Sequence, residues 1–180
     1  MSSHKGKFLV ASPRLRDPNF FKTVVLLVQH GDEGALGVVL NRPSGLTVRE
    51  ATDQLADTPS GPDAPLHLGG PCAGPLVALH TDPDIAEIEV IDGLYFSAEK
   101  QRVEQLLRDG NESVRFFAGY SGWSAGQLED ELEEGSWLLV PAVREMVLNP
   151  GSDPWGRLNT YATLGGTVPL ERIPDDPHLN

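Results

Sequence analysis

The chain has 180 residues, 39% hydrophobic and 22% charged, with a formal net charge of −12, proportions that suit one soluble globule with a core of its own. The negative balance repels phosphate backbones, so nucleic acid is not an expected partner. A single cysteine, Cys72, excludes an intrachain disulfide and points to a reducing cytoplasm. No run of eighteen apolar residues is present to span a membrane, and Met1 to Lys7 lacks the apolar core of a leader, so no membrane association is expected.

Phe8 to Ala11 is predicted as a short strand stopped by Ser12-Pro13. Arg14 to Lys22 reads as a polar loop around the turn signal Asp17-Pro18-Asn19, with Phe20-Phe21 folding back towards the core. Thr23 to Gln29 is a continuous β-branched and leucine run, the pattern of a central strand covered on both faces. Gly31-Asp32-Glu33-Gly34 is a hairpin turn into a returning strand from Ala35 to Leu40. Asn41-Arg42-Pro43-Ser44-Gly45 breaks that pattern. Thr47-Val48-Arg49-Glu50 is a capping box, opening a short helix that ends near Leu55. Ala56 to Pro65, rich in Asp, Pro, Ser and Gly, reads as a mobile surface loop.

His67-Leu68 is a strand end leading into Gly69-Gly70-Pro71, and Leu76 to His80 and Glu89 to Ile91 are further strands. Ser97 is placed to cap a helix through Arg108 with Val103, Leu106 and Leu107 on its apolar face and Gly110 as its stop. Val114 to Ala118 is a buried strand. Gly119 and Gly122 then bracket a sharp turn at Tyr120-Ser121, and Ser124 to Gln127 fits a second capping box. Leu128 and Leu132 face the sheet, Gly135 ends the helix, and Trp137 to Pro141 starts another strand, a βαβ-like unit. Ala142 to Leu148 is open between strand and short helix. Asp153-Pro154-Trp155 opens a last helix, with proline at its first position.

These elements predict one α+β domain over residues 1–166, with a twisted, mostly antiparallel mixed sheet and three or four flanking helices. Residues 167–180 form a loose, acidic, proline-rich tail in this reading.

Three blocks carry candidate chemistry. Gly119-Tyr120-Ser121-Gly122-Trp123 resembles a nucleophile elbow, but position 123 is Trp where the pattern needs Gly, and the only later histidine is His178 in the tail. His67 or His80 would have to serve as base from upstream. The simpler reading has Ser121 satisfying turn backbone. Gly69-Gly70-Pro71 either presents amides to a phosphate or carboxylate or makes a tight turn. Cys72 beside it is a small buried hydrophobe or a nucleophile. Arg42, after Asn41, either binds an anion bidentately or clamps neighbouring carbonyls inside the protein. The five histidines show no metal-ligand spacing, so neither metal nor cofactor is expected. Glu129, Asp130, Glu131, Glu133 and Glu134 form either a solvated helix face or a surface for a basic partner.

Gly119 to Glu129 resembles the signature G-Y-[AS]-G-W-x-x-G-Q-L-E of the YqgE/AlgH family of bacterial proteins. Ala11-Ser12-Pro13 through Asp17-Pro18-Asn19-Phe20, Gly37-Val38-Val39-Leu40-Asn41-Arg42-Pro43 and Leu68-Gly69-Gly70-Pro71 agree in order, as do Trp155 and Leu164-Gly165. The resemblance implies a sheet that curls towards an open barrel and a suggested role in transcriptional regulation, with no established biochemical activity. The leading expectation is a non-enzymatic cytoplasmic binding or regulatory module. Its surface of Asn41, Arg42, Gly69, Gly70, Pro71, Gly119, Tyr120, Ser121 and Trp123 would meet a small anion or a protein segment. The alternatives are a hydrolase using Ser121 or Cys72, and a transcriptional regulator.

Overall fold

A computed structural model describes residues 2–109 and 113–175. Among the described residues ten strands are present: β1 (Lys7–Ala11), β2 (Val24–Gly31), β3 (Gly34–Val39), β4 (Pro43–Thr47), β5 (Pro65–Leu68), β6 (Cys72–His80), β7 (Ile88–Ile91), β8 (Leu94–Ser97), β9 (Val114–Ser124) and β10 (Trp137–Pro141). The helices are α1 (Val48–Asp53), α2 (Lys100–Asp109), α3 (Gln127–Glu133), α4 (Arg144–Leu148) and α5 (Pro154–Thr163). The sheet runs β10-β1-β2-β3-β9-β6-β8-β7 with every step antiparallel. β5 joins β9 as a parallel neighbour and carries β4 antiparallel on its other side. The predicted α+β class and mostly antiparallel mixed sheet are both present. Among the described residues five α-helices flank the sheet instead of three or four, because Ala142 to Leu148 contributes the short α4.

The sheet curls without closing. A Cβ placed on Gly6 would lie 2.8 Å from Cγ2 of Ile91 in β7, so that edge folds back over the start of β1. Among the described residues no ladder joins the two ends. β2 is the central strand the leucine and valine run predicted. Val24, Leu26 and Val28 enter one core with Phe8, Leu79, Phe117 and Leu158, while Val25 and Leu27 enter a second with Leu9, Trp123, Leu128 and Trp137. Alternation of side chains across a strand makes one strand serve two layers. A third cluster, including Val48, Leu66, Leu106 and Phe116, lies between the sheet and α1 and α2.

The main departure from expectation is β9. The turn predicted at Gly119 to Gly122 is absent, and the strand continues to Ser124. Gly119 adopts φ +76, and Ala73 to Pro75 of β6 stand opposite it as an irregularity in the ladder. This reverses the side-chain parity of β9. Phe117 faces the first core and Trp123 the second, although residues six apart share a face in a regular strand.

As a result α3 starts later than the S-x-x-Q pattern suggested. Gly126 is its N-cap, with no side-chain cap bond. Gln127 Oε1 accepts from the Ser124 amide at 3.0 Å, which is half of the expected box. The Ser124 hydroxyl donates to the same oxygen at 3.2 Å instead of capping an amide. β10 then pairs with β1, so β9–α3–β10 crosses three strands.

Other local expectations divide by how far they reach. Thr47 Oγ1 accepts from the Glu50 amide at 3.1 Å and Glu50 answers at 3.4 Å, completing the first capping box. Asp153 caps Gly156 ahead of Pro154 as predicted. Ser97 is no cap: it is fully buried and its hydroxyl donates to the Ile85 carbonyl at 3.0 Å. The segment expected to be a mobile loop is tied down where the Gly61 amide donates to Thr52 Oγ1 at 2.8 Å. In the expected tail, Ile173 is buried, and the Asp175 carboxylate accepts from the Ser152 and Asp153 amides at 2.6 and 3.1 Å. The predicted stop at Gly110 and the histidine His178 lie outside the described residues.

Candidate functional site

The three sequence blocks meet at a branch point in the sheet. Along one edge of β9, β3 pairs with Ser121 to Ser124 and β5 takes over at Phe117 and Ala118. Where one neighbour gives way to the other, the Val39 amide donates to the Gly69 carbonyl at 2.8 Å. The Leu68 amide donates to Arg42 at 2.7 Å, and the Gly69 amide to Ala118 at 2.8 Å. The buried Ser121 hydroxyl donates to the Gly69 carbonyl at 3.1 Å. A Cβ on Gly69 would stand 2.3 Å from the Gly119 carbonyl oxygen, and one on Gly70 2.2 Å from that of Tyr120. Glycine is required here because three backbones approach more closely than a side chain allows.

The blocks are thus brought together, but much of their polar capacity is spent inside the protein. Asn41 Oδ1 accepts from the Val24 amide and Asn41 Nδ2 donates to the Lys22 carbonyl, both at 2.9 Å. Arg42 donates to the carbonyls of Phe21 at 2.7 Å and Pro18 at 3.4 Å, the internal clamp that was one of its two readings. Trp123 is buried against Phe20 and Trp137, with ring centroids 5.9 and 6.1 Å away. Tyr120 is partly buried opposite Cys72, and Pro71 is exposed.

What the clamp holds faces outward. Lys22 has φ +55, a conformation costing a non-glycine residue on the order of 1–3 kcal/mol unless its surroundings impose it. The Thr23 amide closes a turn onto the Phe20 carbonyl at 3.1 Å, and Asn41 and Arg42 brace it through the Lys22 and Phe21 carbonyls. Phe21 is exposed, and the Lys22 ammonium lies 5.4 Å from both the Phe21 and Trp155 ring centres. Beside it opens a groove of about 490 Å³ lined by Lys22, Asp153, Trp155, Asn159, Thr160, Thr163 and the exposed Leu164, with one Asp153 carboxylate oxygen taken by the Gly156 amide. Trp155 Nε1 and Asn159 Nδ2 both donate to the Ala11 carbonyl, at 2.7 and 3.3 Å, fixing α5 against the end of β1.

His80 and Ser97 are engaged structurally. His80 Nδ1 accepts from the Asp82 amide at 3.2 Å, so its proton sits on Nε2, 2.8 Å from Ser97 Oγ. Ser97 donates onward to Ile85, so this histidine, already protonated at Nε2, is not placed to take the serine proton. Burial also pushes its pKa down. His67 and Arg115 differ. Arg115 donates to the Leu40 and Val147 carbonyls, both at 2.8 Å, and lies 4.9 Å from the centre of the Phe117 ring. Burial lowers its pKa to about 10. Burial, then the nearby Arg115 charge, lower His67 to about 4. The sequence reading offered His67 as a strand end and an upstream base, and gave Arg115 and Asn159 no role. A cation second in an otherwise apolar strand, Val114-Arg115-Phe116-Phe117-Ala118, was the available signal. Among the described residues no group of three or more His, Cys, Asp or Glu could hold a metal ion, and no helix is long and apolar enough to cross a membrane.

Residues 8–166 match the family model described as AlgH-like. A UPF0301 protein of Chlorobaculum tepidum is 45% identical, covering 97% of this chain and 95% of its own. One from Streptomyces avermitilis is 36% identical, covering 100% and 97%. The solution structure of the AlgH protein of Pseudomonas aeruginosa superposes with a TM-score of 0.75 at 33% identity, over 93% of this chain and 91% of that one. A crystal structure of a Corynebacterium diphtheriae protein does so at 0.67 and 26%, over 88% and 86%. Family model, relatives and fold agree across nearly the whole length, and the chain belongs to the AlgH-like family.

Proposed function

We propose that this protein is a non-enzymatic cytoplasmic binding module whose branch point serves as scaffold for a docking face, the Phe21–Lys22 tip and the groove beside Trp155. The observation that carries the reading is the locked tip. Two side chains of the Asn41-Arg42-Pro43 block are spent on the carbonyls of Phe21 and Lys22, bracing the Phe20–Thr23 turn in which Lys22 takes a left-handed φ. The occupant is a protein segment bearing an acidic residue and an apolar one. Lys22 supplies the charge, Trp155 a flat wall, and exposed Phe21 and Leu164 apolar contacts. A regulatory role exercised through such a contact is compatible with a net charge of −12, whereas direct contact with a phosphate backbone is not favoured. The enclosed Ser121 hydroxyl, bonded to Gly69, supports binding over hydrolysis.

The test is selection of peptides from a random display library on the full chain. Recovered sequences should pair Asp or Glu with a large apolar residue, and Lys22→Glu should weaken their binding at least about tenfold, the loss of one charge-assisted contact. Peptides without acidic residues, or binding indifferent to Lys22→Glu, would refute the docking face.

A further inference from the structure

A second cavity, of about 290 Å³, opens over β9 and shares no lining residue with the groove beside Trp155. Its polar floor is Arg115 and His67; Val48, Ala64, Phe116 and Leu148 supply apolar wall. Arg115 reaches it from inside the fold. Its guanidinium has five N–H donors, and the hydrogen bonds it makes go to two backbone carbonyls, Leu40 and Val147. Among the described residues the ion pairs are His30–Glu129, Lys100–Glu104, Arg102–Glu99 and Arg108–Glu104, so no described carboxylate neutralises Arg115. A cation withdrawn from water without a counter-charge is costly to hold.

His67 repeats the theme at the same place. Its Nδ1 is shielded from water and lacks a hydrogen-bond partner; the Pro65 carbonyl lies close enough to influence the ring but makes no bond of normal geometry with that nitrogen. Both groups are braced on one ring, His67 with its centroid 6.1 Å from that of Phe117 and Arg115 at 4.9 Å. Two polar groups with spare capacity are therefore fixed on the floor of one small, otherwise apolar chamber.

We infer that this cavity is a binding site for a small organic carboxylate, held by the Arg115 guanidinium with His67 beside it and its apolar body against Val48, Phe116 and Leu148. The site offers one cation, which matches a singly charged carboxylate better than a doubly charged phosphate, and the planar guanidinium suits a bidentate carboxylate. The volume lies at the lower end of small-ligand pockets, so the ligand is a short acid and not a nucleotide. The site stands apart from the docking face and does not depend on it.

The test titrates the full chain at neutral pH and constant ionic strength with linear monocarboxylates from acetate to hexanoate, and with inorganic phosphate. It follows the Arg115 Nε–Hε resonance and Tm. Affinity should rise about fourfold for each added methylene until the chamber is full, following the transfer free energy of a CH2 group, and phosphate should bind more weakly than hexanoate. Arg115→Met should abolish the effect. Because that variant also loses two backbone contacts, Ala64→Phe provides a second arm, filling the chamber while leaving the Arg115–carbonyl bonds in place, and it too should abolish binding. No saturable change with any acid, an undiminished response in Ala64→Phe, or phosphate binding as tightly as hexanoate would overturn the assignment.

Discussion

The branch point of the sheet and the Arg115 cavity lie along the same strand, yet they treat polar groups in opposite ways. At the branch point, the Gly69 carbonyl takes both the Val39 amide and the Ser121 hydroxyl, and Asn41 and Arg42 are bonded to backbone on the 18–24 segment. In the cavity a guanidinium lacks a described counter-charge and an imidazole nitrogen lacks a partner. A protein tolerates the second arrangement only at a cost, whereas the first is how buried polar atoms are ordinarily accommodated. Sequence motifs therefore drew attention to the satisfied region, and the region with chemistry to spare carries no recognisable motif.

The sharpest way to break this contrast is at Gly70. Gly70→Ala places a Cβ 2.2 Å from the Tyr120 carbonyl oxygen, with backbone on the other side of the clash, and should destabilise by about 3–5 kcal/mol in denaturant titration. A loss below about 1 kcal/mol would mean that the three backbones are not in close contact. Arg42→Ala comes next. Removing the clamp should cost about 1–2 kcal/mol and speed amide exchange at residues 19–22, while Gly69 and Ala118 stay protected. Unchanged exchange at the tip would separate Arg42 from the locked Lys22 conformation.

The cavity can be sharpened by pH. His67 has a folded pKa near 4, below its ordinary 6.5, so as pH falls the unfolded chain takes up its proton first. Stability should be unaffected by this group above pH 6.5, decline between about 6.5 and 4, and level off below. After discounting for the ring's partial exposure the loss is roughly 1–2 kcal/mol. His80, also lowered, slopes the same way. The diagnostic is therefore the difference between the parent and His67→Leu, which should show a shallower decline through that window. The smallest effect belongs to Ser124, at the end of β9 and in neither region. With Gly126 as the cap, Ser124→Ala should change stability by no more than about 0.5 kcal/mol; a loss near ~1 kcal/mol, typical of a true N-cap, would reinstate the sequence reading.

The legible parts of the molecule are those whose causes lie within a few residues. The valine and leucine run of β2, the hairpin at Gly31–Gly34, the Thr47–Glu50 box and the Asp153–Pro154 cap all formed where the pattern placed them. The G-Y-S-G-W block misled because glycine permits both a sharp turn and an irregularity within a continuous strand, and its local sequence does not choose between them.

What the sequence determined alone was the order and type of most elements, the two-faced central strand and two of the helix starts, since periodicity and capping act over i to i+4. What the tertiary structure decided was the fate of the polar side chains. Ser121 finds its acceptor 52 residues away at Gly69, Asn41 finds Val24 at a distance of 17, and Arg115 reaches Leu40 across 75 and Val147 across 32. Such partners are set by which strands become neighbours. Only when β3, β5 and β9 come together is it settled that the glycine blocks close on one another, that Asn41 and Arg42 turn inward, and that Arg115 is left facing a chamber.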